Sequence, residues 1–166
     1  MTDQAQDDLD RHETPLERAD RNLLELLNEL RVALPGVQVL FAFLLIVPFS
    51  QRYDRMTEFE RKLYFGVLLC TGLATILLIA PSVHHRIEFR QHDKEYLVLL
   101  ANRLTIAGLT VLAVAISGAI LLITHILFSA TAAVITTAAV AVAIAVVWYV
   151  IPLRRLAYRR RRASRD

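Results

Sequence analysis

Apolar residues occur in long runs that no charged residue interrupts. In the longest, residues 104–153, fifty consecutive positions lack Asp, Glu, Lys and Arg. A helix needs about 20 apolar residues to cross a bilayer core roughly 30 Å thick, so this run has the length of two spans and a turn. Two shorter runs precede it. The pattern predicts an all-α integral membrane protein with four transmembrane helices, at about residues 32–50, 63–83, 104–128 and 130–151.

A cytoplasmic amphipathic helix is predicted before the first span. Thr14, Pro15 and Glu17 supply a capping residue, a first-turn proline and a capping-box carboxylate in the right order. Leucines then recur every three or four residues, while the other face carries acids and arginines together. A lipid-binding helix is typically rich in Lys and Arg on that face. We therefore expect this helix to pack against another part of the protein or against a second copy.

Prolines and charged stretches predict the boundaries. Pro35-Gly36 indicates a joint before the first span, and Pro48, Pro81 and Pro152 indicate the ends of the first, second and fourth spans. Residues 52–62 read as a charged loop, Ser129 as a turn, and residues 84–103 as a polar helix leading into the third span. The expected organisation is a disordered acidic tail (1–13), one membrane domain (14–155) and a basic cytoplasmic tail (156–166).

The distribution of basic residues predicts the orientation. Of 19 Lys and Arg residues, fifteen lie in the N-terminal segment, the loop between spans two and three, and the C-terminal tail. The opposite side has only Arg52, Arg55, Arg61 and Lys62. Because cytoplasmic loops carry the excess of Lys and Arg, both termini are expected in the cytoplasm. The acidic start is unlike a signal peptide, so we expect a multi-pass protein of the cytoplasmic (inner) membrane.

Small residues mark two predicted helix contacts. The fourth span has a stripe at four-residue spacing, which we call the small-residue stripe: Ala133, Thr137, Ala141 and Ala145. The third span has Ala115 and Ala119 beside Gly118. Small residues let membrane helices approach closely, so these positions predict contact with protein, in a homo-oligomer or with a partner membrane protein. The alternative is that alanine is simply common in such helices.

Ionisable clusters lie outside the predicted spans. His84, Glu88 and His92 share a helix face, but the two histidines are about 12 Å apart along the axis, too far to bind one metal ion. We therefore predict a solvated interfacial helix and no metal. Arg86, Arg90 and Lys94 are candidate contacts for anionic lipid phosphates or for the acidic face of the first helix. Candidate lipid contacts in the tail are Arg159, Arg160, Arg161 and Arg162, since a bilayer is nearer to them than nucleic acid.

Candidate transport chemistry is sparse. Gln38, Asn102 and His125 are the polar residues that could line an ion path. The predicted spans contain no Asp or Glu, although pumps generally use such carboxylates. The sequence also has no Gly-rich phosphate loop and no serine beside a base. We therefore predict no enzyme activity, no catalytic residues and no cofactor.

Several motifs resemble an uncharacterised bacterial family of small four-helix membrane proteins, a domain of unknown function. They are residues 21–38 (RNLLELLNELRVALPGVQ), Ala80-Pro81, His85-Arg86, Phe89-Arg90, Ala101-Asn102-Arg103 and Gly108. The resemblance covers about residues 14–155 and implies four spans without defined catalytic residues.

Two functions remain open from the sequence. The first is a non-enzymatic membrane protein that acts through self-association or as an accessory subunit, with anionic lipid as its surroundings. The alternative is an oligomeric ion channel or a small cation/proton transporter.

Overall fold

The computed structural model describes residues 14–87 and 94–163, and these form helices and short connections only. The helices are α1 (Pro15–Ile46), α2 (Glu58–Ile87), α3 (Lys94–Leu127), α4 (Ala130–Ala145) and α5 (Ile151–Ala163). A π-helical turn, Val146–Val150, joins α4 to α5, and two 3₁₀ turns, Val47–Phe49 and Tyr53–Arg55, lie between α1 and α2.

The predicted all-helical fold with four long apolar helices is confirmed. Four stretches have the length and composition needed to cross a membrane: Asp20–Phe49, Glu58–Ile87, Tyr96–Leu127 and Ala130–Arg155. The predicted acidic tail, residues 1–13, lies outside the described residues.

Three prolines do not end helices where the sequence predicted. α1 continues through Pro35-Gly36, α2 through Pro81, and α5 contains Pro152, so the predicted joint and two of the predicted ends are wrong. A proline removes one backbone donor, but a long helix keeps its other hydrogen bonds, and breaking an apolar helix exposes several backbone groups at once. Pro152 lies two residues after the π-helical turn, a distortion that accommodates such a residue.

The predicted start of α1 is confirmed. The backbone N–H of Thr14 donates to Glu17 Oε2 at 2.8 Å, and the N–H of Glu17 donates to Thr14 Oγ1 at 3.3 Å. These reciprocal bonds satisfy backbone donors that have no partner within the helix. At the predicted turn, the Ser129 hydroxyl accepts from the N–H of Ala132 at 3.2 Å and caps α4 with this single bond.

The end of α1 depends on a side chain from α2. Pro48 has no N–H to donate to the carbonyl of Leu44, four residues earlier. The hydroxyl of Tyr64 donates to that carbonyl at 2.9 Å, and Tyr64 is only 3% exposed. The Leu44 carbonyl, which Pro48 leaves without a backbone donor, therefore accepts a hydrogen bond from a buried tyrosine.

The chain divides into two compact units. The first comprises the chain up to Phe43 together with Gly72–Thr110, and the second comprises Leu44–Thr71 and the chain from Val111 onward.

In the first unit, the leucine face of α1 is covered by the beginning of α3. Leu23 packs with Leu97 and Ala101, all at most 5% exposed, and Leu26 and Leu27 pack at the edge of this cluster. The sequence left open whether that face meets another part of the protein or a second copy. In the structure it is used within the chain.

Close contacts between α2 and α3 occur in each unit. In the first, a Cβ placed at Gly108 would lie 2.8 Å from Leu78 Cγ. In the second, a Cβ at Gly118 would lie 2.6 Å from Val67 Cγ2, and the neighbouring Ala115 is fully buried. Glycine and alanine thus permit the two helices to approach, as predicted for the third span.

Candidate functional site

The N-terminus of α2 carries a second capping box. The N–H of Thr57 donates to Glu60 Oε2 at 2.7 Å, and the N–H of Glu60 donates to Thr57 Oγ1 at 3.3 Å. The prediction of a charged loop over residues 52–62 is wrong at Glu60, because Thr57-x-x-Glu60 starts a helix. One carboxylate oxygen of Glu60 is thereby held by the backbone.

The other oxygen of Glu60 contacts His125. Glu60 Oε1 lies 3.1 Å from His125 Nδ1, in the last turn of α3. Glu60 is 8% exposed, whereas the His125 side chain is 30% exposed. The ring of Phe59 lies against the imidazole, with centroids 5.5 Å apart. A buried carboxylate is thus fixed by two donors, one local and one 65 residues away.

The protonation state of His125 decides only the form of this contact. If His125 is neutral and carries its proton on Nδ1, the N–H donates to the carboxylate, and if it is charged, the contact is a salt bridge. In either form the contact joins the start of α2 to the end of α3.

A pocket of about 380 Å³ opens beside the pair. It is lined by Gln51, Arg52, Arg55, Met56, Glu60 and Ile126, all in the second unit. Arg52 donates to the carbonyl of Ile126 at 3.4 Å, a long hydrogen bond near the end of α3. The pocket therefore presents two guanidinium groups and one carboxylate.

The other two basic side chains near the pocket, Arg61 and Lys62, have partners outside it. Lys62 Nζ lies 2.6 Å from Glu58 Oε1. Arg61 lies 5.5 Å from the ring centroid of Tyr53 and donates to the carbonyl of Asp54 at 3.3 Å. Arg52 and Arg55 are thus the cations of this segment that face the pocket.

The predicted polar path is divided between the units. Gln38 and Asn102 are exposed side chains of the first unit, whereas the half-buried His125 belongs to the second. A path through these residues stays a prediction.

The structure describes only part of the His84–His92 cluster and of the candidate lipid contacts. His84 Nδ1 lies 2.8 Å from the carbonyl of Ala80 in its own helix. Among the described residues, no three His, Cys, Asp or Glu side chains are placed to share a metal ion. Arg86 is exposed in the last turn of α2, and Lys94 is the first residue of α3. Glu88, Arg90 and His92 lie outside the described residues, and residues 159–162 lie in α5.

The small-residue stripe of α4 is buried only at its beginning. Ala133 is 1% exposed and Thr137 is half-buried, whereas Ala141 and Ala145 are exposed. No residue from 134 to 155 is buried. In α3, by contrast, Ala115 and Ala119 are both buried.

Glu60 is absent from the predicted site residues, although the sequence carries a local signal for it. Thr57-x-x-Glu60 repeats the spacing of Thr14-x-x-Glu17, which predicts a helix start. The contact with His125 has no such signal, because it joins residues that are distant in the chain.

Comparison with known proteins gives a family and no activity. No curated protein and no solved structure matches the chain significantly. A family model described as "Family of unknown function (DUF6328)" matches residues 12–152, which is most of the 166-residue chain. The chain therefore belongs to this family, DUF6328.

Proposed function

We propose that this chain is a multi-pass protein of the cytoplasmic membrane, with both termini in the cytoplasm, that acts without catalysis by associating with a second copy through α4. The observation that carries the association is the exposed half of the small-residue stripe.

Exposed apolar side chains support the membrane location. Large hydrophobic residues point outward on each candidate span, among them Phe43, Ile76, Val114 and Ile135, which are 58–67% exposed. Soluble monomers rarely expose apolar surface on this scale. In a bilayer the same side chains contact lipid tails, and the helices keep their backbone hydrogen bonds internal.

The basic residues support the orientation. Residues 1–31, residues 84–103 and residues 154–166 contain fifteen of the 19 Lys and Arg residues. Placing those segments in the cytoplasm satisfies the positive-inside rule. The connection 47–57 and the Glu60–His125 pair then lie on the other side.

The contrast within α4 supports self-association. Ala133 is buried within the chain, but Ala141 and Ala145 continue the same face and are exposed. In membranes, small residues at this spacing allow close backbone approach between helices. The equivalent residues of α3 are already covered, and so is the leucine face of α1. α4 is therefore the helix best suited to meet a second copy.

Cysteine cross-linking in native membranes tests this proposal. Cys70 is the only cysteine and is first replaced by serine. Ala141→Cys or Ala145→Cys should then give a disulfide-linked dimer on mild oxidation. Ala143→Cys is the matched control, since it is also an exposed alanine but lies about 200° around the helix.

The outcomes are distinct. Dimer formation at position 141 and not at 143 supports the proposed interface. Equal dimer yield at both positions indicates random collision and contradicts it. A cross-link from position 141 to a different membrane polypeptide would replace self-association by the accessory-subunit role.

The Glu60–His125 contact favours a second candidate function, movement of protons or small cations by an oligomer. A carboxylate and an imidazole 3.1 Å apart, at the ends of two apolar helices, are the kind of polar pair that an ion pathway needs at its mouth. Proton and cation flux would be measured in liposomes containing the protein, the Gln38→Leu variant and the Glu60→Gln variant. Flux that requires the protein and falls in both variants supports transport, and absence of flux leaves association as the function.

A further inference from the structure

We infer that the pocket lined by Arg52 and Arg55 is a binding site for a phosphate group. The site is separate from the α4 interface and from the basic segments that the sequence marks as lipid contacts.

The charged side chains that line the pocket favour an anion as its ligand. Glu60 Oε2 accepts from the N–H of Thr57, and Glu60 Oε1 lies 3.1 Å from His125 Nδ1. These two partners orient the carboxylate, which contributes one negative charge to the wall. Arg52 donates to the carbonyl of Ile126 in a long hydrogen bond. Among residues 14–87 and 94–163, neither Arg52 nor Arg55 forms an ion pair with Glu60 or with another carboxylate. Two cations and one anion thus line the pocket, and the anion contacts His125 and not the arginines.

The lining side chains and the volume of the pocket suit a phosphate group. Gln51 adds amide donors beside the two guanidinium groups, while Met56 and Ile126 provide apolar contact. Arginine presents a planar fork of N–H donors that matches the oxygens of a phosphate. A volume of about 380 Å³ is large enough for a phosphate with a short organic substituent.

The pocket lies just beyond the end of a candidate membrane span. Gln51, Arg52 and Arg55 lie in the connection between α1 and α2, just beyond the end of the first candidate span at Phe49. Arg52 and Arg55 are two of the four bases on this side of the proposed topology, and the positive-inside rule gives no reason for them. A lipid headgroup would lie at this level, while a free phosphate monoester offers the same chemistry from solution. Only the lipid source depends on the proposed membrane location.

Binding to the purified full-length protein tests the site. Native mass spectrometry in a neutral detergent would measure retention of phosphatidylglycerol, with diacylglycerol as the phosphate-free comparison. Inorganic phosphate at constant ionic strength would serve as the competitor. We expect saturable binding of phosphatidylglycerol that Arg55→Gln weakens about tenfold, as expected for the loss of a charged hydrogen bond.

Lys62→Gln is the matched control. It removes one positive charge from the same segment, but Lys62 is exposed and pairs with Glu58 outside the pocket. We expect it to change binding by less than about twofold, because exposed ion pairs contribute little. Arg52→Gln is a second pocket variant, and circular dichroism checks that each variant keeps its helix content.

The source of the phosphate follows from competition. Displacement of the lipid by inorganic phosphate would identify a site open to free phosphate, and saturable lipid binding without displacement would identify a headgroup site. Retention of phosphatidylglycerol no better than that of diacylglycerol, or equal weakening by Arg55→Gln and Lys62→Gln, would overturn the inference. Neither result depends on cross-linking through Ala141, so this site and the proposed association fail independently.

Discussion

Replacement of Gly108 by alanine is expected to destabilise the protein through the contact between α2 and α3. The new Cβ would lie 2.8 Å from Leu78 Cγ, 2.9 Å from Leu78 Cδ2 and 3.2 Å from Leu77 Cβ. Ordinary contacts of a Cβ are at 3.4–4 Å. Leu78 is fully buried, so its side chain has no open space in which to move. Either the leucine leaves its preferred rotamer or the helices separate.

Two effects of opposite sign determine the change in unfolding free energy. Overpacking a close contact costs about 1–3 kcal/mol. Alanine in a helix interior is favoured over glycine by about 0.5–1 kcal/mol. We expect Gly108→Ala to lower the unfolding free energy. The measured loss will be smaller than the packing cost, because alanine is the better helix former.

Gly66→Ala is the control that separates the two effects. Gly66 is also inside a helix, α2, and a Cβ there would meet nothing within 4 Å. This variant should gain the propensity term alone and become more stable by about 0.5–1 kcal/mol. The difference between the two variants then measures the packing cost, about 1–3 kcal/mol.

Reversible unfolding in mixed micelles, followed by far-ultraviolet circular dichroism, would measure both variants. Equal changes in unfolding free energy for Gly108→Ala and Gly66→Ala would refute the reasoning, because the contact with Leu78 would then have no energetic effect.

Two further predictions follow from hydrogen bonds at helix ends. Tyr64→Phe removes the donor to the Leu44 carbonyl and should lower the unfolding free energy by about 1–3 kcal/mol, whereas Tyr96→Phe, at an exposed tyrosine, should change it little. At the start of α1, hydrogen bonds from the Thr14 backbone and hydroxyl lower the pKa of Glu17. This contribution to stability is complete above the ordinary glutamate pKa of about 4.3 and is lost as the pH falls through the lowered value. Hydrogen exchange of the first turn, corrected for intrinsic rates, should therefore accelerate in acid in the native chain, while a Glu17→Gln variant should show no such dependence.

Local patterns in the sequence were sufficient for much of the fold. The charge-free run from 104 to 153 predicted two of the four long helices, and Thr14 with Glu17 predicted where α1 begins. These signals depend only on neighbouring residues and on the length of an apolar helix. The helix boundaries predicted from three of the prolines were wrong because the effect of a proline on a helix depends on its surroundings. Pro35 and Pro81 lie inside continuous helices.

The candidate site was less predictable. The sequence predicts His125 as a polar residue that could line an ion path, but it predicts a loop at Glu60. Their contact joins residues 65 positions apart, and neither residue's neighbours indicate it. The pocket likewise combines Arg52 and Arg55 with Ile126, from a different helix. Such sites arise from the packing of helices, which periodicity within one helix does not specify.

The double use of the Glu60 carboxylate has a consequence for the order of folding. Its bond to Thr57 closes a turn of three residues, whereas its bond to His125 closes a loop of 65. Short loops close faster and at a smaller entropic cost than long ones. We therefore expect the Thr57–Glu60 capping box to form first. It would hold the carboxylate in one orientation before α3 packs against α2. Folding of the start of α2 would then prepare the acceptor that fixes the end of α3.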